Sequence, residues 1–431
     1  MLNRLRRNLK LFVFTCPYVA WRLISAKGYI LNLIEMRWHS EQNRDFPANS
    51  LIKRDHPWNK KTDKRILFIE QSIPRADTNA GAITIYQFME IFLHAGWRVA
   101  LWPQDRRFGG NYGNMLEQRG VEILSSDRLL TTFRVWWRAN TDRYPVVILS
   151  RPAVCAAFLP VLKKYGNPRI LYYGHDLHFS RLQSEAELTR LPELFWFARR
   201  FRKMESWIWG NVHRTYYPSA EEADTVRSLV PHSDARSVIP YFFDGMVKTS
   251  ECPPENHRML FVGNFNHPPN IDAVEWLIQE IFPAIKNRCT KAELRVVGTG
   301  LPEDLQRRCK KAGMDSSGWL SEEALAAAYK SCRLVLVPLR FGAGVKHKVV
   351  AALAQGLPVV MTRIGAQGME WLGDSADITD NGPEFAAAAA RLLTDDAYWL
   401  QRAATASQAV RNRFNAQTMS KAFDELDLVA S

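Results

Sequence analysis

The residues best equipped for chemistry lie in one stretch, Phe341-Gly342-Ala343-Gly344-Val345-Lys346-His347-Lys348-Val349-Val350. Two glycines let a ligand approach the backbone, and two lysines supply full positive charge. The apolar run at 334–338 reads as a buried parallel strand ahead of this turn. The run at 349–355 reads as a helix, with Gly356 placed to end it. Free N–H groups and the helix dipole favour an anion at such a junction. The chemistry implied is a diphosphate held at the carboxyl end of a parallel strand, by Lys346, Lys348 and the amides around Gly344. A plain strand-turn-helix corner with two solvated lysines has the same spacing.

A second constellation is Tyr173-Gly174-His175-Asp176-Leu177-His178-Phe179-Ser180-Arg181. It places two histidines and an aspartate within four positions after an apolar run. No third and fourth ligand with suitable spacing stands nearby, so metal binding has little support. A neutral histidine can donate a hydrogen bond to a ligand or take part in proton transfer. Two further loops follow strand candidates. One is the turn at 74–82, which ends on Gly81 and offers Thr78 or Asn79 as a helix cap. The other is Ser150-Arg151-Pro152, where Arg151 suits either an anion or an exposed salt bridge.

The elements that would position these residues alternate strand and helix. Strand candidates stand at 64–70, 98–102, 146–149, 170–173 and 215–217, with helical runs between them, notably 82–94 and 154–164. The rhythm repeats with strands at 259–263, 294–298, 333–338 and 357–361. This predicts an α/β protein of two doubly wound domains. Gly298-Thr299-Gly300 is followed by Glu303 where a dinucleotide fingerprint needs glycine, so it carries no weight as an NAD site.

At 431 residues the chain is comfortable for two domains. Its six scattered cysteines form no C-x-x-C and read as reduced thiols. The net charge is +13, and residues 1–65 hold fourteen Lys/Arg against five Asp/Glu. The rest is only mildly basic, which argues against a nucleic-acid partner. Residues 1–36 read as a basic amphipathic segment, kinked at Pro17, whose apolar run at 11–21 is too short to span a bilayer. Phe12, Tyr18 and Trp21 among arginines suit an anionic membrane surface; packing on the protein is the alternative. Residues 37–62 read as a linker.

Residues 258–372 resemble the donor-binding domain of a family 4 (group 1) glycosyltransferase with the GT-B fold, of the kind found in bacterial surface-glycan synthesis. The likeness sits in Leu260-Phe261-Val262-Gly263-Asn264-Phe265, Pro268-Pro269-Asn270-Ile271-Asp272-Ala273 and Leu294-Arg295-Val296-Val297-Gly298. It continues through the Gly342–Lys346 turn, Gly356-Leu357-Pro358-Val359-Val360 and Ile364-Gly365-Ala366. The resemblance implies two Rossmann-like domains facing across a cleft, an acceptor-side domain at 63–243 and a donor-binding domain at 244–431. Helices near 383–394 and 396–413 close the chain, and the last is expected to cross back over the first domain. It also implies a retaining hexosyl transfer from a nucleotide sugar, which serves as substrate, with no cofactor. His175, Lys346 and Lys348 are the catalytic candidates, with His175 preferred to His178 for direct contact. Donor contacts are expected from Gly81, Asn264, Trp319, Gly342, Gly344 and Val345. Arg151, Asp176, His178 and Arg181 are candidates for the acceptor or the sugar.

Two departures stand out. Family members usually carry a glutamate at the position of Ala351, where it binds the donor ribose, and often an acid at Gln367. A charge-assisted hydrogen bond contributes about 1.5 to 3 kcal/mol, so its loss would weaken donor binding by roughly ten- to a hundredfold. Glu370, one helical turn beyond Gln367, is a possible substitute. The family's arginine and lysine after the first strand fall on Asn264 and near Asn270, which moves the cationic role to Lys346 and Lys348. No Asp-x-Asp occurs, so a metal clamp has no candidate and a metal-independent mechanism is expected. The expected partners are a nucleotide sugar, a lipid-linked surface glycan and an anionic membrane. The expected location is peripheral, on the cytoplasmic face of the cell membrane. The alternatives are a degenerate scaffold subunit and a sugar-nucleotide epimerase.

Overall fold

The computed structural model describes residues 64–77, 80–243 and 252–424. The amphipathic segment at 1–36, the linker at 37–62 and the caps expected at Thr78 or Asn79 lie outside the described residues.

The first sheet is parallel and has seven strands: β1 Arg65–Glu70, β2 Arg98–Pro103, β3 Glu122–Ile123, β4 Val146–Ser150, β5 Arg169–Tyr173, β6 Arg214–Tyr217 and β7 Ala235–Ser237. Their order is β3-β2-β1-β4-β5-β6-β7. Every residue of β1 is buried, because helices cover both faces of such a sheet. Leu67 and Ile69 point into one core, with Trp102, Trp137 and Trp209. Ile66 and Phe68 point into the other, with Phe88, Phe92 and Trp97. That is the two-residue period of a strand.

The second sheet is also parallel and has six strands: β8 Arg258–Val262, β9 Glu293–Val297, β10 Asp315–Ser317, β11 Leu334–Val337, β12 Val359–Met361 and β13 Asp377–Ile378. Their order is β10-β9-β8-β11-β12-β13. Two doubly wound parallel sheets are what the strand-helix rhythm predicts. In each, the strand order reverses once, between β1 and β4 and between β8 and β11. Open α/β sheets bind ligands at the carboxyl ends of strands flanking such a reversal.

The crossing element differs from the expectation. The helix Asp396–Arg413 stays in the second domain, where Trp399, Ala403, Ala406 and Val410 join its core. A further helix, Ala416–Asp424, reaches the first domain. There Phe423 meets the rings of Phe88, Phe92 and Tyr216 at 5.2, 5.1 and 5.2 Å, and the Tyr216 hydroxyl donates to the Ala422 carbonyl at 3.0 Å. Among the described residues, no helix is long and apolar enough to cross a membrane.

Candidate functional site

The two strand-order reversals open onto one cavity of about 510 Å³, lined from both domains. On the first-domain side, β1 ends at Glu70 and β4 ends at Ser150, next to Arg151. Burial alone would raise the Glu70 carboxyl, but Arg151, His175 and Ser150 together hold it well below the usual carboxylate range. Arg151 Nε donates to Glu70 Oε1 at 2.7 Å, and the Ser150 hydroxyl donates to Oε2. Arg151 has φ 66°, a left-handed conformation that is rare for a side-chain-bearing residue. It precedes Pro152, the first residue of the helix Pro152–Tyr165, and a proline restricts its predecessor.

His175 is packed against this corner. Its ring meets Tyr173 edge-on at 4.8 Å, and its Nε2 lies 3.9 Å from Glu70 Oε2, too far for a direct hydrogen bond. Burial, then the charge of Arg151, lowers its pKa, so the ring is neutral near pH 7. Gly81 is required here: a Cβ on it would lie 2.9 Å from His175 Nδ1 and 3.2 Å from an Arg151 Nη. Gly81 thus makes room for these two side chains, while the sequence reading assigned it to the diphosphate.

The rest of the His175 loop is held by charge. His178 Nδ1 lies 2.8 Å from Asp176 Oδ1, and Arg181 Nε donates to Oδ2 at 2.7 Å. Burial alone would raise the Asp176 carboxyl, but Arg181 and His178 hold it well below its usual range. Two buried carboxylates fix the backbone: Glu222 accepts from Leu177 N at 3.2 Å, and Glu205 accepts from His178 N and Phe179 N at 3.1 and 3.0 Å. Glu205 thereby supplies the cap that the helix His178–Thr189 lacks from its own residues.

On the second-domain side, the helix His347–Ala354 starts at Lys346 with no side-chain cap, leaving its N-terminus to attract an anion. Lys346 Nζ is folded onto its own turn, donating to the Ala343 carbonyl at 3.0 Å, to the Gly344 carbonyl, and to Gln367 Oε1 at 3.4 Å. Lys348 Nζ donates to Asn270 Oδ1 at 2.6 Å and sits 4.4 Å from the centre of the Phe261 ring. Burial lowers both ammonium pKa values, Lys348 to about 7 with help from the charge of Lys346.

Most of the predicted site residues meet in this cavity. Gly81, Arg151, His175, Asp176, His178 and Arg181 line it from one side, and Asn264, Trp319, Gly342, Val345, Lys346 and Lys348 from the other. Trp319 is 54% exposed, so it is no core residue. Gly344 instead forms the contact between domains: its φ is 74°, and a Cβ there would lie 3.0 Å from the His175 carbonyl oxygen. Glu370 is a correction. It lies outside the cavity, on a separate pocket with Glu221 and Asp224, and accepts from Gly368 N at 2.8 Å. Ala351, whose missing carboxylate it was expected to replace, is itself packed into the core.

Sequence reasoning missed four residues. Glu70 anchors Arg151, and a carboxylate ending an otherwise apolar strand was a usable signal. His267 lines the cavity beside Asn264. His347 is buried against Tyr241 and Phe243 at 4.7 and 5.7 Å, and burial lowers its pKa to about 4. Tyr241, whose hydroxyl donates to the Val345 carbonyl at 3.0 Å, ties the segment after β7 to the lysine turn. Among the described residues, no group of three or more His, Cys, Asp or Glu is placed to hold a metal ion.

Comparison with known proteins gives the architecture its class. Residues 256–395 match the family described as glycosyl transferases group 1. Sucrose-phosphate synthase from Thermosynechococcus elongatus superposes with TM-score 0.64 at 16% identity, covering 84% of this chain and 98% of that one. Anabaena HepE, solved with UDP and glucose, superposes with TM-score 0.62 at 14% identity, covering 84% and 99%. TarM superposes with TM-score 0.66 at 8% identity, covering 85% and 99%. Two facing parallel sheets of this kind are the GT-B fold of these neighbours, and the match to the group 1 glycosyl transferases falls within the second domain. A further relative is an uncharacterized 44.6 kDa protein in a cps region of Klebsiella pneumoniae, 29% identical over 119 residues. That match spans 31% of the relative's length.

Proposed function

We propose that the protein transfers a sugar from a nucleoside diphosphate donor to a lipid-linked surface glycan, without a metal and with retention at the anomeric carbon. One observation carries this reading: the lysine turn of the second domain and the His175–Arg151 corner of the first line the same cavity. Lys346, Lys348 and the start of the helix His347–Ala354 supply positive charge for the leaving diphosphate. Neutral His175 faces them as a hydrogen-bond donor to a sugar hydroxyl or to the negative charge developing on the leaving diphosphate. Arg151 and Arg181 are each paired with a carboxylate, Glu70 and Asp176, whereas neither lysine of the turn makes an ion pair within 4 Å among the described residues. The structures of HepE with UDP-glucose, and of a TarM variant with UDP and Fondaparinux, support a nucleotide donor and a glycan acceptor. The cps-region relative supports surface-glycan synthesis, and the basic segment at 1–36 supports a peripheral place on the cytoplasmic face of the membrane.

The test is release of nucleoside diphosphate from a panel of nucleotide sugars, with and without a lipid extract as acceptor. Acceptor-dependent release is expected, and Lys346→Ala/Lys348→Ala should lower it at least about a hundredfold, as loss of oxyanion-type donors does. Release from no donor by folded protein would overturn the reading. It would favour the second one, a binding subunit of a glycan-assembly complex, for which the specific observation is Ala351: its place holds no carboxylate, and Glu370 lines a different pocket.

A further inference from the structure

The helix Pro192–Trp209 separates its two faces by chemistry. Its inner face is apolar apart from Glu205 and packs into the first-domain core through Leu194, Phe197, Phe201, Met204 and Ile208. Its exposed positions include Phe195, Trp196, Arg199, Arg202, Lys203 and Trp207, which fall on one side of the helix at 100° per residue. No acidic residue of this helix is exposed. Phe195 is 37%, Trp196 44% and Trp207 42% exposed. Arg200 lies over the Trp196 ring at 4.7 Å. Among the described residues, eight large apolar side chains stand exposed. Four of them, these three and Leu188 of the preceding helix, lie on this one helical pair. Glu187 is the pair's one exposed carboxylate, against exposed Arg190, Arg199, Arg202 and Lys203.

We infer that this face docks on an anionic phospholipid bilayer. Aromatic rings are stable at the headgroup boundary, where an apolar body and a polar edge are both satisfied. Lysine and arginine lay their stems along the apolar region and keep their charges among lipid phosphates. A water-exposed face of a soluble helix would be expected to intersperse carboxylates, and this one does not. The same helix sets the geometry behind it, since Glu205 holds the backbone of His178 and Phe179. The helix His178–Thr189 carries His178 and Arg181 to the cavity. A bilayer seated on Phe195 and Trp207 therefore lies one helix away from the cavity, on its first-domain side. The docking deepens the proposed use of a lipid-linked acceptor, but it rests on the surface alone and stands whether or not sugar transfer is the reaction.

Flotation of the full chain with vesicles of phosphatidylcholine, with and without phosphatidylglycerol, tests it. Binding is expected only to the anionic vesicles. Arg199→Glu/Arg202→Glu/Lys203→Glu should weaken it roughly a hundredfold or more, as expected for about 1 kcal/mol per basic residue. Phe195→Ser/Trp207→Ser should weaken it about tenfold or more. All five side chains are exposed, so thermal melting should match wild type and nucleoside diphosphate release in solution should be retained. As a second readout, brominated phosphatidylglycerol should quench the wild type more than Trp207→Phe. Partitioning unchanged in both sets of variants would assign membrane contact to residues 1–36 alone and overturn the inference. Failure of the full chain to bind anionic vesicles, or its retention only through a protein partner, would overturn it as well.

Discussion

Lys346 and Lys348 stand two residues apart but in different company. Lys346 has Glu222 and Asp176 within electrostatic reach, which offsets part of the burial that lowers it. Lys348 has Asn270 and the Phe261 ring, and burial lowers its ammonium to about 7. Near neutral pH it therefore holds only part of its charge. A bound diphosphate favours the charged form and raises the pKa in the complex, so binding draws in a proton. The sign follows directly: donor affinity is full below about pH 7 and falls above it, by up to about tenfold per pH unit. Calorimetry in two buffers of different ionisation enthalpy should show proton uptake at pH 8, and Lys348→Met should reduce it to the part that Lys346, lowered to about 8, supplies. Affinity that is flat from pH 6 to 9 would contradict this account.

At the scale of elements, the helices His178–Thr189 and Pro192–Trp209 are joined by a buried carboxylate. Burial raises the Glu205 pKa to about 7, and its two backbone donors and His178 offset only part of that cost. The folded pKa thus lies above the ordinary 4.5, so ionisation opposes the fold. The Glu205 contribution is most favourable below about pH 4.5 and is lost as pH rises through about 7. Glu205→Gln keeps an acceptor for the helix N-terminus and removes the titration. Between pH 5.5 and 8 its melting temperature should fall less than that of wild type. A parallel decline in the two proteins would show that Glu205 does not titrate in this window.

Across the whole molecule, the helix Ala416–Asp424 links the two domains by packing. Phe423 is buried among Phe88, Phe92 and Tyr216 of the first domain. The chain leading to it runs from the second domain, where the Phe414 carbonyl accepts from Phe243 N at 3.2 Å. Phe423→Ala leaves a cavity in the first-domain core and should cost about 3 to 5 kcal/mol. Urea unfolding should show a lower midpoint for the first domain. An unchanged midpoint would mean that this helix only rests on the surface.

The sequence by itself determined the class of fold and the two chemical centres. Nine strands, β1, β2, β4, β5, β6, β8, β9, β11 and β12, were legible because interior strands of a two-sided parallel sheet are rich in aliphatic, β-branched and aromatic residues. The four unread strands, β3, β7, β10 and β13, are the outer strands of the two sheets and are two or three residues long. An outer strand is paired on one side only, so no long apolar run marks it. The glycine-lysine turn and the His175 loop could be read because composition and spacing are local signals. What tertiary structure decided is which distant residues meet. Glu70 and Arg151 are 81 positions apart, and Lys348 and Asn270 are 78 apart. Gly344 was legible as a turn glycine, but the reason for it is a backbone contact with His175 across the cleft. Glu370 was three residues from Gln367 in sequence, yet it lines a separate pocket with Glu221 and Asp224. Periodicity encodes which face a residue presents to its own element. Where that element sits against another is set by packing over the whole chain, and the cavity exists only there.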